Sequence, residues 1–392
     1  MTRELVLGID FGSSSTIAGV LIDDRIEFVQ DAGDQVIPSI VYVPDRGDAV
    51  VGSRAVARQI GEPSNVIRSV KRLLGHDSSS ELVRRFAAST PLPLDVSTPK
   101  PMFKMRSGKM APEQVAAAII GYVRNLGEQR FGVRIKRAVM TMSADAPAGY
   151  REAVIRAARI AHLEIADLIV EPVAAALALD LHTQEVDRNI VVCDFGGGTF
   201  DVSAVVQRGL RFTPVAIGGD NYLGGDDLDD ALASAIAGAI YKSSKFDIST
   251  SPARWTELVL RCESAKRQLS TQFETPLVMK DAYPLAGVRT DLRVMLDRPY
   301  VERAWAPIMQ RVHGVIENLL VKANWTSDDV HLVGLVGGCA MIPVFRQTVA
   351  SLFPGKRIQR ADHPELAVAQ GSTLLTARFR ALNTGQLPVL VA

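Results

Sequence analysis

Apolar residues follow two rhythms along this chain. Short near-continuous runs, such as Leu5-Val6-Leu7 with Ile9 and Ile190-Val191-Val192-Cys193, have the length of buried strands. Longer stretches repeat every three or four positions. After Pro112, placed as a first helical residue, Val115, Ala118, Ile119, Tyr122, Val123 and Leu126 make one apolar face. The same reading predicts strands over 134–142, 165–170 and 331–336, and helices over 150–162, 173–181, 226–241, 257–269, 344–353 and 365–380. A helix over 300–323 should bend or break at Pro307, which cannot donate a backbone hydrogen bond. Segments 46–52 and 91–110, rich in Pro, Gly, Ser and charge, read as loops and short strands of a peripheral subdomain. Strands alternating with helices point to an α/β fold.

One pattern occurs twice. Residues 5–22 can be laid over 190–206: each has an apolar run ending in Asp-Phe-Gly (Asp10-Phe11-Gly12 and Asp194-Phe195-Gly196), then small or hydroxyl residues, then a second apolar run. Both read as β-hairpins. The copies are 194 − 10 = 184 residues apart, nearly half the chain, which predicts two related lobes with matching hairpins facing across a cleft. Chance recurrence is the bland alternative, since glycine supplies turn geometry in any β protein.

Composition narrows the class. At 392 residues the chain is two to three times a typical domain of ~100–200 residues. Its 47% hydrophobic and 22% charged residues exclude wholesale disorder. With 44 Lys plus Arg against 43 Asp plus Glu, it has no overall field to attract nucleic acid or acidic membranes, so neither is expected as a partner. No apolar run approaches a membrane span, and the N-terminus lacks a signal-peptide pattern. Cys193, Cys262 and Cys339 are far apart and without C-x-x-C spacing, which fits a reducing cytoplasm better than a disulfide framework or a zinc site.

The segment from Asp194 to Asp201 carries the chemistry. Gly196, Gly197 and Gly198 after a strand let backbone N–H groups approach an anion closely, and phosphate is the natural ligand. Acids beside such a turn repel phosphate unless a divalent cation lies between, and magnesium, which keeps most of its waters, fits with Asp10 and Asp194 as anchors. Ser13, Ser14, Ser15 and Thr199 add hydroxyl donors. A purely structural turn stays open at this point. Asp226, Asp227, Asp229 and Asp230 open a helix, where dipole and capping effects account for them as well as a metal cluster does. No P-loop or G-x-G-x-x-G fingerprint is present, and no H-R-D loop makes the Asp-Phe-Gly triplets kinase-like.

Taken in order, the motifs resemble the actin-like ATPase superfamily and, within it, the seventy-kilodalton heat-shock chaperones of the DnaK type. The resemblance spans residues 4–380. It rests on Gly8-Ile9-Asp10-Phe11-Gly12, Val70-Lys71-Arg72-Leu73-Leu74-Gly75, Glu171-Pro172, the 194–201 segment, Leu223-Gly224-Gly225-Asp226, Ala265-Lys266-Arg267 and Val336-Gly337-Gly338. It implies a two-lobed actin-like ATPase fold with duplicated sheet-and-helix cores and four subdomains around a central nucleotide cleft. The expected division is lobe I over 1–184 (core 1–38 and 112–184, outer part 39–111) and lobe II over 185–380 (core 185–225 and 304–380, outer part 226–303). The last part, 381–392, is an apolar tail resembling an interdomain linker.

The resemblance also implies roles. ATP or ADP would lie in the cleft with magnesium near Asp10, Glu171 and Asp194, mostly through water, and Lys71 matches the family's catalytic lysine. Gly12, Ser13, Ser14, Ser15, Gly196, Gly197, Gly198, Thr199 and Asp201 would hold phosphates, and Thr199 and Asp201 match positions that also take water or a potassium ion. Glu263, Lys266, Arg267, Ser270, Gly337, Gly338, Cys339, Met341 and Glu365 match base and ribose positions. Co-chaperones and nucleotide-exchange proteins are the expected partners.

Three departures temper this. Met341 stands where the family has an arginine over the adenine, Glu365 replaces its aspartate, and Ser143 replaces a proline that passes on nucleotide state. Residues 381–392 are not expected to hold a peptide-binding domain. The leading expectation is a slow ATP-hydrolysing switch. The alternatives are a nucleotide-sensing regulatory or scaffold module with little turnover, an actin-like filament protein and a sugar or acetate kinase.

Overall fold

Strand runs separated by hairpin glycines and by helices fold into two sheets with one topology. The computed structural model describes residues 4–379 apart from 91, 145, 180, 182–184, 286 and 378, so the tail over 381–392 lies outside the described residues. In the first sheet β1 (Val6–Phe11), β2 (Ser15–Ile22), β3 (Arg25–Phe28), β4 (Arg137–Met142) and β5 (Glu164–Val170) run in the order β5-β4-β1-β2-β3. The second contains β6 (Arg188–Phe195), β7 (Phe200–Arg208), β8 (Arg211–Asp220), β9 (Leu332–Val336) and β10 (Arg357–Arg360), ordered β10-β9-β6-β7-β8. In each, the Asp-Phe-Gly strand is antiparallel to its hairpin partner and parallel to the strand on its other side. The duplicated core expected from the sequence is present. Leu7, Ile9 and Phe11, and likewise Val191, Cys193 and Phe195, are fully buried, so a near-continuous apolar run marks each central strand.

Of the ten helices among the described residues, eight frame the two sheets and the cleft: α1 (Pro112–Phe131), α2 (Tyr150–Ile160), α3 (Glu171–Ala178), α4 (Gly225–Ser244), α5 (Pro252–Leu269), α6 (Arg298–Ala323), α7 (Pro343–Leu352) and α8 (Ala367–Leu375). The expectation of a bend or break at Pro307 is corrected in one respect: α6 runs through it without interruption. Proline removes one hydrogen bond, and buried Trp305, Ile308, Met309 and Val312 on the inner face hold the helix across that gap. Helix α5 starts at Pro252, five residues before the apolar periodicity becomes clear, because proline at N1 needs no partner for its missing N–H. Segments 46–52 and 91–110 contribute to two small three-stranded sheets and the turns beside them.

Between the sheets lies a third apolar cluster, drawing Val6 and Val139 from one sheet, Val192 and Val336 from the other, and Ala174, Ala175, Ala176, Ala367 and Val368 from α3 and α8. These two helices meet almost backbone to backbone: a Cβ on Gly371 of α8 would overlap the Ala174 carbonyl of α3. Gly371→Ala must force the helices apart, and the expected cost is at the upper end of the ~1–3 kcal/mol typical of overpacking. Urea unfolding of the variant checks this; an unchanged midpoint would show that the contact yields freely.

Candidate functional site

The two hairpins end in turns of the same construction. Gly12 N–H donates to the Ser15 carbonyl at 3.0 Å, and Gly196 N–H to the Thr199 carbonyl at 3.0 Å. The second turn is braced from below by fully buried Phe195 and Phe200, whose rings lie 5.2 Å apart and 4.8 and 5.8 Å from Phe345 of α7. The turns face each other closely. A Cβ on Gly197 would come within 2.6 Å of Ser14 Cβ, and one on Gly198 within 2.8 Å of Ser13 Cβ, so glycine is required here by proximity. Ser14 Oγ also donates across the gap to Asp226 Oδ2 at 3.1 Å.

A cavity of about 660 Å³ opens at these turns, within the range of small-molecule sites. All but one of the residues expected to touch nucleotide or metal line it; the exception is Asp201. Asp201 instead lines smaller cavities next to it and accepts from Ser143 Oγ at 3.1 Å. Ser143 thus supplies a hydroxyl contact between the two halves that proline could not.

At the cavity floor the ends of β1 and β6 place Asp10 and Asp194, while α3 begins at Glu171. Lys71, on a short 3₁₀ turn (Val70–Leu73), reaches Glu171 Oε1 at 2.8 Å, with both side chains largely buried. Thr141 Oγ1 donates to Asp10 Oδ1 at 2.9 Å. Burial, reinforced by Glu171, pushes Asp10 up to about 6 against the opposing pull of Lys71 and Thr141. Burial and then Glu171, Asp201 and Asp10 hold Asp194 well above the ordinary carboxylate range. Burial disfavours the Lys71 charge, but Glu171, Tyr150 and Asp10 outweigh it and keep the ammonium firmly protonated. Asp10 and Asp194 thus crowd the Lys71–Glu171 pair with carboxyl oxygens that hold their protons more tightly than usual, a donor set suited to a hard cation that would displace those protons. Among the described residues no His, Cys, Asp or Glu group is arranged to grip a metal directly.

The opposite wall comes from α4, α5 and the 3₁₀ turn after β9. Lys266 is buried, bonding Asp229 Oδ2 at 2.6 Å and the Gly225 carbonyl at 2.8 Å. Glu263 pairs with Arg267 at 2.8 Å, and Ser270 Oγ donates to the Lys266 carbonyl. The acids opening α4 divide their work: Asp227 caps the Gly224 N–H at 2.8 Å, Asp226 faces Ser14, and Asp229 neutralises Lys266. Cys339 is 5% exposed and donates to the Gly196 carbonyl, and burial pushes its thiol up to about 12, so it is inert to alkylation in this conformation. Met341 lines the cavity with Arg360 against its sulfur, and Glu365 lines the cavity close to His363.

Four contributors escape sequence reasoning. Arg72 donates to the Gly198 carbonyl at 2.5 Å and so braces the 196–199 turn. Its guanidinium and that of Arg85 lie 4.4 and 4.0 Å from the ring centroid of Tyr222, which comes from the other half of the chain. Tyr222 Oη donates to the Leu82 carbonyl at 3.1 Å, completing an aromatic clasp between the halves. Arg68 lines the cavity and sits 3.9 Å from Asp226. A cation three residues before Lys71 is a signal available in the sequence; for Tyr222 there is none.

Residues 6–385 match the family described as Hsp70 protein. Among similar proteins are "Chaperone protein DnaK" of Mycoplasma mobile, 30% identical over 95% of this chain and 58% of that protein. "Heat shock 70 kDa protein 2" of Paracoccidioides lutzii is 30% identical over 95% of this chain and 57% of its own length. "Heat shock cognate HSP70 protein" of Trypanosoma brucei brucei is 32% identical over 95% and 56%. The chain thus spans less than three fifths of the length of these relatives. No helix among the described residues is long and apolar enough to cross a membrane.

Proposed function

The chain belongs to the Hsp70 family over residues 6–385, and from that premise we propose that it is an ATP-binding, ATP-hydrolysing switch of chaperone type whose nucleotide lies in the 660 Å³ cavity. The observation that carries this reading is the buried Lys71–Glu171 pair, 2.8 Å long, set beneath two facing hydroxyl-and-glycine turns. A purely structural turn would not need an ammonium desolvated at its base. Backbone N–H groups and hydroxyls of Ser13, Ser14, Ser15 and Thr199 would grip phosphate oxygens from both sides. Lys71 would offset charge growing on the transferred phosphoryl group and orient the attacking water. Asp10, Asp194 and Glu171 would hold a hydrated magnesium ion, which when bound neutralises phosphate charge. Potassium near Thr199 and Asp201 belongs to the same reading.

The base and ribose would lie along Gly337, Gly338 and the α5 face carrying Glu263, Arg267 and Ser270. Closure of lobe I on lobe II around nucleotide, with reopening after ADP release, would be what partner proteins read. Co-chaperones and exchange factors are the partners this implies. The boundaries we propose are 1–184 and 185–380, with outer parts over 39–111 and 226–303.

The test is single-turnover hydrolysis of radiolabelled ATP with magnesium and potassium. Slow release of phosphate that stops on magnesium chelation is expected. Tight ATP binding without phosphate release would sink the ATPase reading in favour of a nucleotide sensor.

A further inference from the structure

A second, smaller cavity shares Lys71, Ser13 and Thr199 with the main one and is otherwise lined by residues including Tyr150, Ser143 and Asp201. Its volume of about 50 Å³ exceeds several-fold the ~10–15 Å³ that one water requires. Tyr150, the first residue of α2, is 3% exposed, and its Oη is buried with no hydrogen-bond partner. A buried hydroxyl without a partner is costly, and phenylalanine would fill the same space without that cost, so the hydroxyl calls for a ligand. Tyr150 lines this small cavity together with Lys71, which also lines the floor of the main one. Burial raises the phenol to about 12 in spite of Lys71, so it stays protonated and able to donate.

Lys71 has hydrogens to spare. One N–H goes to Glu171, and two remain for other acceptors. A water in the small cavity can accept from Lys71 Nζ and from Tyr150 Oη at once, satisfying both. A contact wider than direct hydrogen-bond reach between two buried polar groups beside a polar cavity is the setting in which such a water is found.

We propose that Tyr150 is a positioning residue for Lys71, the two sharing one buried water that fixes the ammonium at the floor of the nucleotide cavity. This rests on the reading of Lys71 as the hydrolytic lysine. Tyr150→Phe removes only the hydroxyl, so the fold should survive and ATP affinity should stay at the wild-type value. The single-turnover rate should fall about tenfold, the loss expected for one hydrogen bond to a charged group.

High-resolution crystal structures of both proteins give an independent readout. The wild type should show an ordered water within hydrogen-bond reach of Tyr150 Oη and Lys71 Nζ, and the variant should lack it. A dry cavity, a direct protein partner for Oη or a wild-type rate in the variant would each overturn the proposal. If the wild type binds ATP but hydrolyses none, the ATPase reading fails instead, and the water alone decides whether Tyr150 positions Lys71.

Discussion

Replacing Lys71 with alanine should cut single-turnover ATP hydrolysis by about 10²–10³-fold while nucleotide binding persists, the effect expected when one preorganised charge donor leaves a phosphoryl-transfer site. The ammonium contacts Glu171 at 2.8 Å and is the largest lowering influence on Asp10, which sits near 6 even so. Removing it strands Glu171 with Asp10 and Asp194. Those groups would then take up protons or bind the cation more tightly, so apparent magnesium affinity should change along with the rate. Arg72 cannot substitute, because its guanidinium is engaged with the Gly198 carbonyl and the Tyr222 ring. Rates from quenched-flow and affinity from calorimetry separate chemistry from binding. Equal turnover in the variant and the wild type would remove Lys71 from the mechanism.

The largest effect on stability should come from Lys266→Met. Both partners of the Lys266–Asp229 pair are deeply buried, at 11% and 3% side-chain exposure, so removing the lysine leaves an uncompensated carboxylate inside the protein. Such breaks typically cost about 3–5 kcal/mol. The sign of the pH dependence follows. Burial already pushes Asp229 up to about 7, with Lys266 the largest opposing influence, and without the lysine it moves higher still. The folded variant then binds a proton over a range where the unfolded chain has lost it, so stability falls as pH rises through that folded value. The deficit relative to wild type should be larger at pH 8 than at pH 5. Adding Asp229→Leu should recover much of the loss. Thermal unfolding of the single and double variants at both pH values checks this, and a deficit that grows on acidification contradicts it.

How much of this was legible in the sequence depends on the range of the interaction. The paired hairpins could be read because each is local: an apolar run, an acid, a glycine and hydroxyls lie within a few positions, and turn stereochemistry allows little else. The helix over 300–323 was legible, but its continuity through Pro307 was not, since burial of neighbours on the inner face decides whether one lost bond is tolerated. Arg72 and Tyr222 were opaque for a different reason. Their side chains are of ordinary surface type, and their partners lie on the other half of the chain: Gly198 is 126 positions from Arg72, and Leu82 is 140 from Tyr222. Lys266 would pass as a solvated helix lysine until Asp229 is seen beside it. The roles of Met341 and Ser143 were visible only as departures from a family pattern; in space, Ser143 gains a bond to Asp201 and Met341 a neighbouring guanidinium.

Helices α3 and α8 touch through methyl groups and bare backbone, with Gly371 seated on Ala174. Contacts of that kind bring backbone against backbone, so the distance between the helices is set by main-chain atoms and not by a choice of rotamer. Because α3 begins with Glu171 at the cavity floor, the spacing of this seam also sets where that carboxylate stands beside Asp10 and Asp194. The gauge of the seam between the halves is thus written in its smallest residues, and one added methyl group is enough to change it.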